Sequence, residues 1–293
     1  MKEDRLSVTS EDTEKSYRDA LKKLTASTED AIAVSHACAN LNAGDRGYWA
    51  SVLMTRMSTF AVTVLSLCPS SKLNPIGIHW DFGSVASITR NIYELSLTFH
   101  YLSTEKVSDD EWLTRLRVMQ LHDCMSRYRM FKDWGSADDE LNGFETQAND
   151  LRAELTKLQF FTGLDAKLKA KLLRGETPSI LIQDEILTRM GVAPQQVRGY
   201  YRLLSAHTHS FPMGYYRMTE HGYGHGEENV LEKNYIAIAA DFAAECLERS
   251  TKGMKELFEP HVDLTNLAPY NLSFILQKAI KLANEKKRRR KFK

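Results

Sequence analysis

Nowhere in this chain do apolar and polar residues alternate for more than a few positions, so it lacks the pattern of a half-buried β-strand. Apolar residues recur instead at helical spacing. Breaks between these runs are few, with 15 Gly and 7 Pro in 293 residues. A chain so poor in turn residues has little material for hairpins or long loops. The pattern predicts an all-α protein, a bundle of about eight to nine helices with no sheet. At 43% hydrophobic residues it can bury the core of one large domain or two small ones.

The start and stop signals place the helices. Residues 11–42 are rich in Ala, Leu, Lys and Glu, open near Ser10 or Thr13 and stop near Gly44. Residues 48–67 form an apolar helix ended by Pro69, and 84–102 form another. Ser108 and Glu111 make a capping box ahead of a long helix to about Trp134. Ser136 to Asp139 opens a further helix with apolar spacing through Phe161. Residues 165–174 are a short basic amphipathic segment, 179–190 a short helix, and Pro194 starts the next. Residues 211–227 are a loop, Glu228 to Phe258 a long helix, and roughly 268–287 the last. The chain divides into an N-terminal helix in 1–46, a helical core in 47–260, and a C-terminal helix with a basic tail in 261–293. The polar stretch around 134–142 is the best internal boundary. Short connections favour one helical domain with an inserted or appended helical pair.

Several classes are disfavoured. Cys38, Cys68, Cys124 and Cys246 are far apart and form no Cys-x-x-Cys pair, which argues against a zinc site on cysteines and for a reduced, cytoplasmic setting. The charged N-terminus does not look like a signal peptide. The apolar stretch from Tyr48 to Cys68 carries Arg56 and several Ser and Thr, which fits a core helix better than a membrane span. There is no phosphate-binding glycine loop, nucleophile elbow or dinucleotide fingerprint, and no cofactor is expected.

The formal net charge of +1 is uneven. Residues 286–293, which include Lys286, Lys287, Arg288, Arg289 and Arg290, contribute seven positive charges, and without them the remainder carries −6. The tail is either a solvated helix end or an arm for phosphates and anionic surfaces.

Chemistry concentrates in residues 198–209. Arg202 is followed by His207 after four residues and by His209 after six. Residue seven of such a spacing returns near the same helix face and residue five is offset from it. A fixed cation and a group that exchanges a proton near neutrality are what RNA cleavage without metal needs: a base for the 2′-hydroxyl and a cation for the phosphorane. Tyr200, Tyr201 and Ser205 share the helix, and Arg217, His221 and His225 follow in the loop. The plainer alternative is an ordinary helix with a surface Arg and a partly buried His. Arg90 and Glu94 stand i, i+4 on an otherwise apolar helix. They form either a self-contained pair that fixes helix register or a carboxylate that orients Arg202 or a histidine. The loop histidines flanking Gly222 and Gly224 make a poor metal site, and none is expected.

The helical layout with Arg202-x4-His207 resembles the HEPN superfamily, whose ribonucleases carry an Arg-x(4–6)-His motif late in a helical bundle. Arg90-x3-Glu94 with residues 204–207 also looks like a family of bacterial helical proteins found partly among antiphage and stress genes. The resemblance spans about residues 50–260. It implies a cytoplasmic homodimer that brings two motifs to one cleft and cuts RNA without metal, in antiviral defence or a toxin–antitoxin pair. By that analogy His207 is the base or acid, Arg202 stabilises the phosphorane, and His209 satisfies the six-residue spacing. Arg90 and Glu94 support the site. Tyr201, Ser205, Arg217 and the basic tail contact RNA. Of a different class is a non-catalytic helical scaffold or sensor that binds a partner protein, with Arg90, Glu94, Arg202 and His207 as a buried structural network.

Overall fold

The computed structural model describes residues 10–216, 218, 222–268, 270–274, 277, 278 and 281. Among these the protein is all α, with eleven α-helices and no strand. They are α1 (Ser10–Ala37), α2 (Gly44–Leu67), α3 (Phe82–Phe99), α4 (Asp109–Asp133), α5 (Asp138–Leu155), α6 (Gln159–Thr162), α7 (Ala166–Leu173), α8 (Gln183–Arg189), α9 (Pro194–Thr208), α10 (Pro212–Tyr215) and α11 (Val230–Phe258). The number exceeds eight to nine because α6 and α10 are single turns, too short to show a period in sequence. α10 lies inside the stretch expected to be loop.

The chain forms two compact units. One is discontinuous and joins the chain up to Thr104 with the chain from Ala193 onward; the other is Glu105–Val192. The polar stretch 134–142 is not a boundary between them. It holds the turn joining α4 to α5 and the first residues of α5, all within the second unit. The first helix is likewise no separate domain, because α1 packs along α11 and against α2.

In the discontinuous unit α3 is the central element, in contact with α2, α9 and α11. Asp81 starts it as an N-cap, accepting the Ser84 amide at 3.1 Å. It buries Val85, Ala86, Ile92, Leu97 and Phe99, then runs into a π-helical turn at His100–Thr104. α2 is long and apolar enough to cross a membrane, but it buries Leu53, Met54, Met57, Ala61, Val64 and Leu65 within the unit. Ion pairs bind α1 to α11: Lys23 to Asp241 at 2.7 Å and Lys255 to Asp30 at 2.9 Å. The buried Cys68 and Cys246 thiols are pushed up to about 12 by desolvation, so they stay protonated and inert.

In the second unit Ser108 caps α4, its hydroxyl accepting the Glu111 amide at 3.2 Å, as the capping box predicts. The core joins Val118, Leu121 and Cys124 of α4 to Ala148, Leu151 and Leu155 of α5, closed by Phe161 and Leu172. Arg115 is fully buried and bonds Glu105 at 2.6 Å and Glu111 at 2.5 Å, with Arg189 adding a contact to Glu105 at 3.0 Å.

Candidate functional site

The α3–α9 seam gathers five of the polar residues singled out in the sequence: Arg90, Glu94, Tyr201, Ser205 and His209. Arg90 enters it from α3 with its side chain 16% exposed. Its Nη1 donates to His209 Nε2 at 2.8 Å. Its Nη2 donates to Glu94 Oε1 at 2.8 Å and to the Tyr201 hydroxyl at 3.3 Å, and the guanidinium lies 5.4 Å from the Tyr201 ring centre. A guanidinium has donors only, so His209 accepts on Nε2 and carries its proton on Nδ1 in this arrangement. Among the described residues Arg90 Nε and Ser205 Oγ, both buried in this seam, have no hydrogen-bond partner.

Helix periodicity explains who meets whom. Tyr201, Ser205 and His209 fall at i, i+4 and i+8, one stripe facing α3. Arg202 is exposed and has no hydrogen-bonded or ionic partner among the described residues. It lies seven residues before His209, close to the same face and about 10 Å along the axis. His207 is five residues on, about 140° around the helix. The four-residue pairing of Arg202 with His207 is therefore not brought together, and the six-residue pairing with His209 shares a face. Arg217 and Lys286 to Arg290 lie outside the described residues, as does His221.

His207 faces a separate cleft of about 230 Å³. Its ring meets Phe82 edge-on with centroids 4.5 Å apart, and burial holds its imidazole below the ordinary histidine value. The cleft is also lined by His79, Asp81, Tyr215 and Glu232. Glu232 is 1% exposed and accepts the Phe82 amide at 2.6 Å and the Gly224 amide at 2.9 Å. Gly222, Gly224 and Gly226 all have φ between 65° and 81°, so the loop beside it needs glycine. Sequence reasoning misses this cleft. An acidic residue in a helix's first turn is ordinary, and nothing local tells that Glu232 turns inward. The glycine run is the one signal, and flexibility is the simpler reading of it.

Among the described residues no cluster of three or more His, Cys, Asp or Glu could hold a metal ion. An exposed ring borders the seam: Phe211, 5.5 Å from the ring of His209. The arrangement offers an imidazole, a phenol and a guanidinium together, with a stacking face beside them and Arg202 exposed on the same helix.

A profile for a family of unknown function, DUF5677, matches residues 49–225, more than half of the chain. No curated protein and no solved structure matches it.

Proposed function

The chain belongs to the DUF5677 family of unknown function, and we propose that this member is a metal-independent endoribonuclease of HEPN type working from the α3–α9 seam. The observation that carries the reading is the 2.8 Å contact between Arg90 and His209 at an exposed surface. The two groups are a fixed cation and a proton acceptor, held by separate helices. An RNA phosphate is a better acceptor for a guanidinium than a neutral imidazole is. Substrate binding therefore draws Arg90 onto the phosphate and frees the His209 Nε2 lone pair. His209 then takes the 2′-hydroxyl proton, the 2′-oxygen attacks phosphorus as the bond to the 5′-oxygen breaks, the leaving 5′-oxygen takes a proton from solvent water, and His209 returns its own to the hydroxide so formed. Arg90 and Arg202 stabilise the phosphorane. The products are a 2′,3′-cyclic phosphate and a 5′-hydroxyl. Glu94 positions Arg90 as its ion-pair partner. The basic tail adds affinity without sequence preference. The HEPN resemblance supports a cytoplasmic homodimer with a role in antiviral defence or a toxin–antitoxin pair.

The test is cleavage of cellular RNA in EDTA by wild type, Arg90→Ala, His207→Ala and His209→Ala. Wild type cleaves, and loss of His209 lowers the rate by about 10²–10⁴. Loss through His207→Ala with His209→Ala fully active would move the base to the other histidine. No cleavage by wild type overturns the reading.

The second reading, a scaffold for a protein partner, is favoured by one observation. Glu94 already neutralises Arg90 at 2.8 Å, as in a closed structural network. On that reading Arg90→Ala lowers stability and affects no RNA.

A further inference from the structure

The His207 cleft has no part in the cleavage reading, yet it starts where the seam ends: His207 lies in the last turn of α9, His209 is the residue just after that helix, and the two face different surfaces. At about 230 Å³ it falls below the ~300–1,000 Å³ of drug-sized pockets, which suits one ring system. Its charge selects the occupant. Asp81 and Glu232 are both acidic, and among the described lining residues there is no Lys or Arg. These carboxylates favour a group rich in N–H donors. The carboxylates keep spare acceptor capacity. Asp81 spends Oδ1 on the Ser84 amide, which leaves Oδ2 for a ligand. Glu232 spends one site on each oxygen, and a carboxylate has about four. The remaining wall includes the rings of Phe82, Tyr215 and Tyr223.

We infer that the cleft is a nucleobase pocket that selects guanine. Guanine is the base that puts an N–H and an exocyclic amine side by side on one edge, facing the two carboxylates. Its O6 and N7 accept from the His207 N–H. Adenine offers the amine beside an unprotonated ring nitrogen, which would meet a carboxylate lone pair against lone pair. The inference rests on the ribonuclease reading in one respect: the base belongs to the RNA whose phosphate lies at Arg90.

The experiment is calorimetric titration of the full chain with guanosine, adenosine and spermidine, alongside the RNA cleavage assay. Guanosine binds at least ~10-fold more tightly than adenosine. Asp81→Asn weakens guanosine by about 10-fold, because the amide still caps α3 but turns an N–H₂ donor toward guanine's donors. Tyr215→Ala, on an exposed ring, weakens it as well. Equal binding of adenosine, binding of spermidine alone, or an Asp81→Asn chain that keeps full guanosine affinity overturns the pocket. A wild type that binds guanosine and cleaves no RNA keeps the pocket and loses the nuclease. One that cleaves RNA and binds no guanosine does the reverse.

Discussion

Glu232, in the first turn of α11, accepts the amide of Phe82, the first residue of α3, at 2.6 Å. Two helix starts that lie 150 residues apart in sequence are thereby joined through one buried carboxylate. Its other oxygen holds Gly224, so the same side chain fixes the glycine loop and the floor of the cleft.

Glu232→Ala orphans both amides. Each costs about 1–3 kcal/mol when left unsatisfied, and urea midpoints should show a loss of that order. Glu232→Gln keeps one acceptor oxygen and should lose less. A midpoint unmoved by Glu232→Ala would show that water replaces the carboxylate.

Arg115→Met removes the cation between Glu105 and Glu111, whose side chains are 12% and 15% exposed. Arg189 still reaches both, so the destabilisation should fall toward the low end of the ~3–5 kcal/mol seen for broken buried pairs. Burial works to raise Glu105, but the hydrogen bonds from Arg115 and Arg189 outweigh it and hold the carboxyl below 4.5. Its folded value is thus under its unfolded one. The stabilisation is complete above 4.5 and fades as pH falls through the folded value. Acid titration of wild type against Arg115→Met should show the variant with the flatter slope in that window.

His207 is a base held low by its surroundings. Burial puts its folded value below 6.5, and the unfolded chain therefore takes the proton first as pH falls. Stability from this group is full above 6.5 and declines below it until the folded value is passed. Denaturation midpoints on either side of pH 6.5 should differ less in His207→Asn than in wild type. An equal difference would assign the slope to other histidines.

Deleting residues 286–293 removes seven positive charges. On the ribonuclease reading RNA affinity should fall, and the slope of log K against log salt should flatten by up to about 0.7 for each phosphate that the tail neutralises. Unchanged binding removes the tail from the RNA interface.

The helices were legible because their signals are local. The Ser108 capping box, Pro194 at the first turn of α9 and the apolar period of α2 each act within a few residues. The division into units was not, because its first boundary follows a π-helical turn that continues α3 and carries no Gly or Pro. Spacing alone singles out Arg90, Glu94, Tyr201 and His209, but it does not show how they pair. An i, i+5 separation points Arg202 and His207 apart, and only α3 packing on α9 decides that Arg90 meets His209. The cleft draws on residues 79–83, 207–215, 218 and 223–232, a gathering no window of sequence can show.

The discontinuous unit also sets an order of events at the ribosome. α1, α2 and α3 emerge before Glu105–Val192 and pack in part on one another, yet α9 and α11, which complete their burial, are made only after Val192. Glu105–Val192 has its own core complete by then. The segment before Glu105 therefore waits for α9 and α11 to complete its burial. It spends that interval with sticky surface uncovered, which makes it the segment that a chaperone would hold.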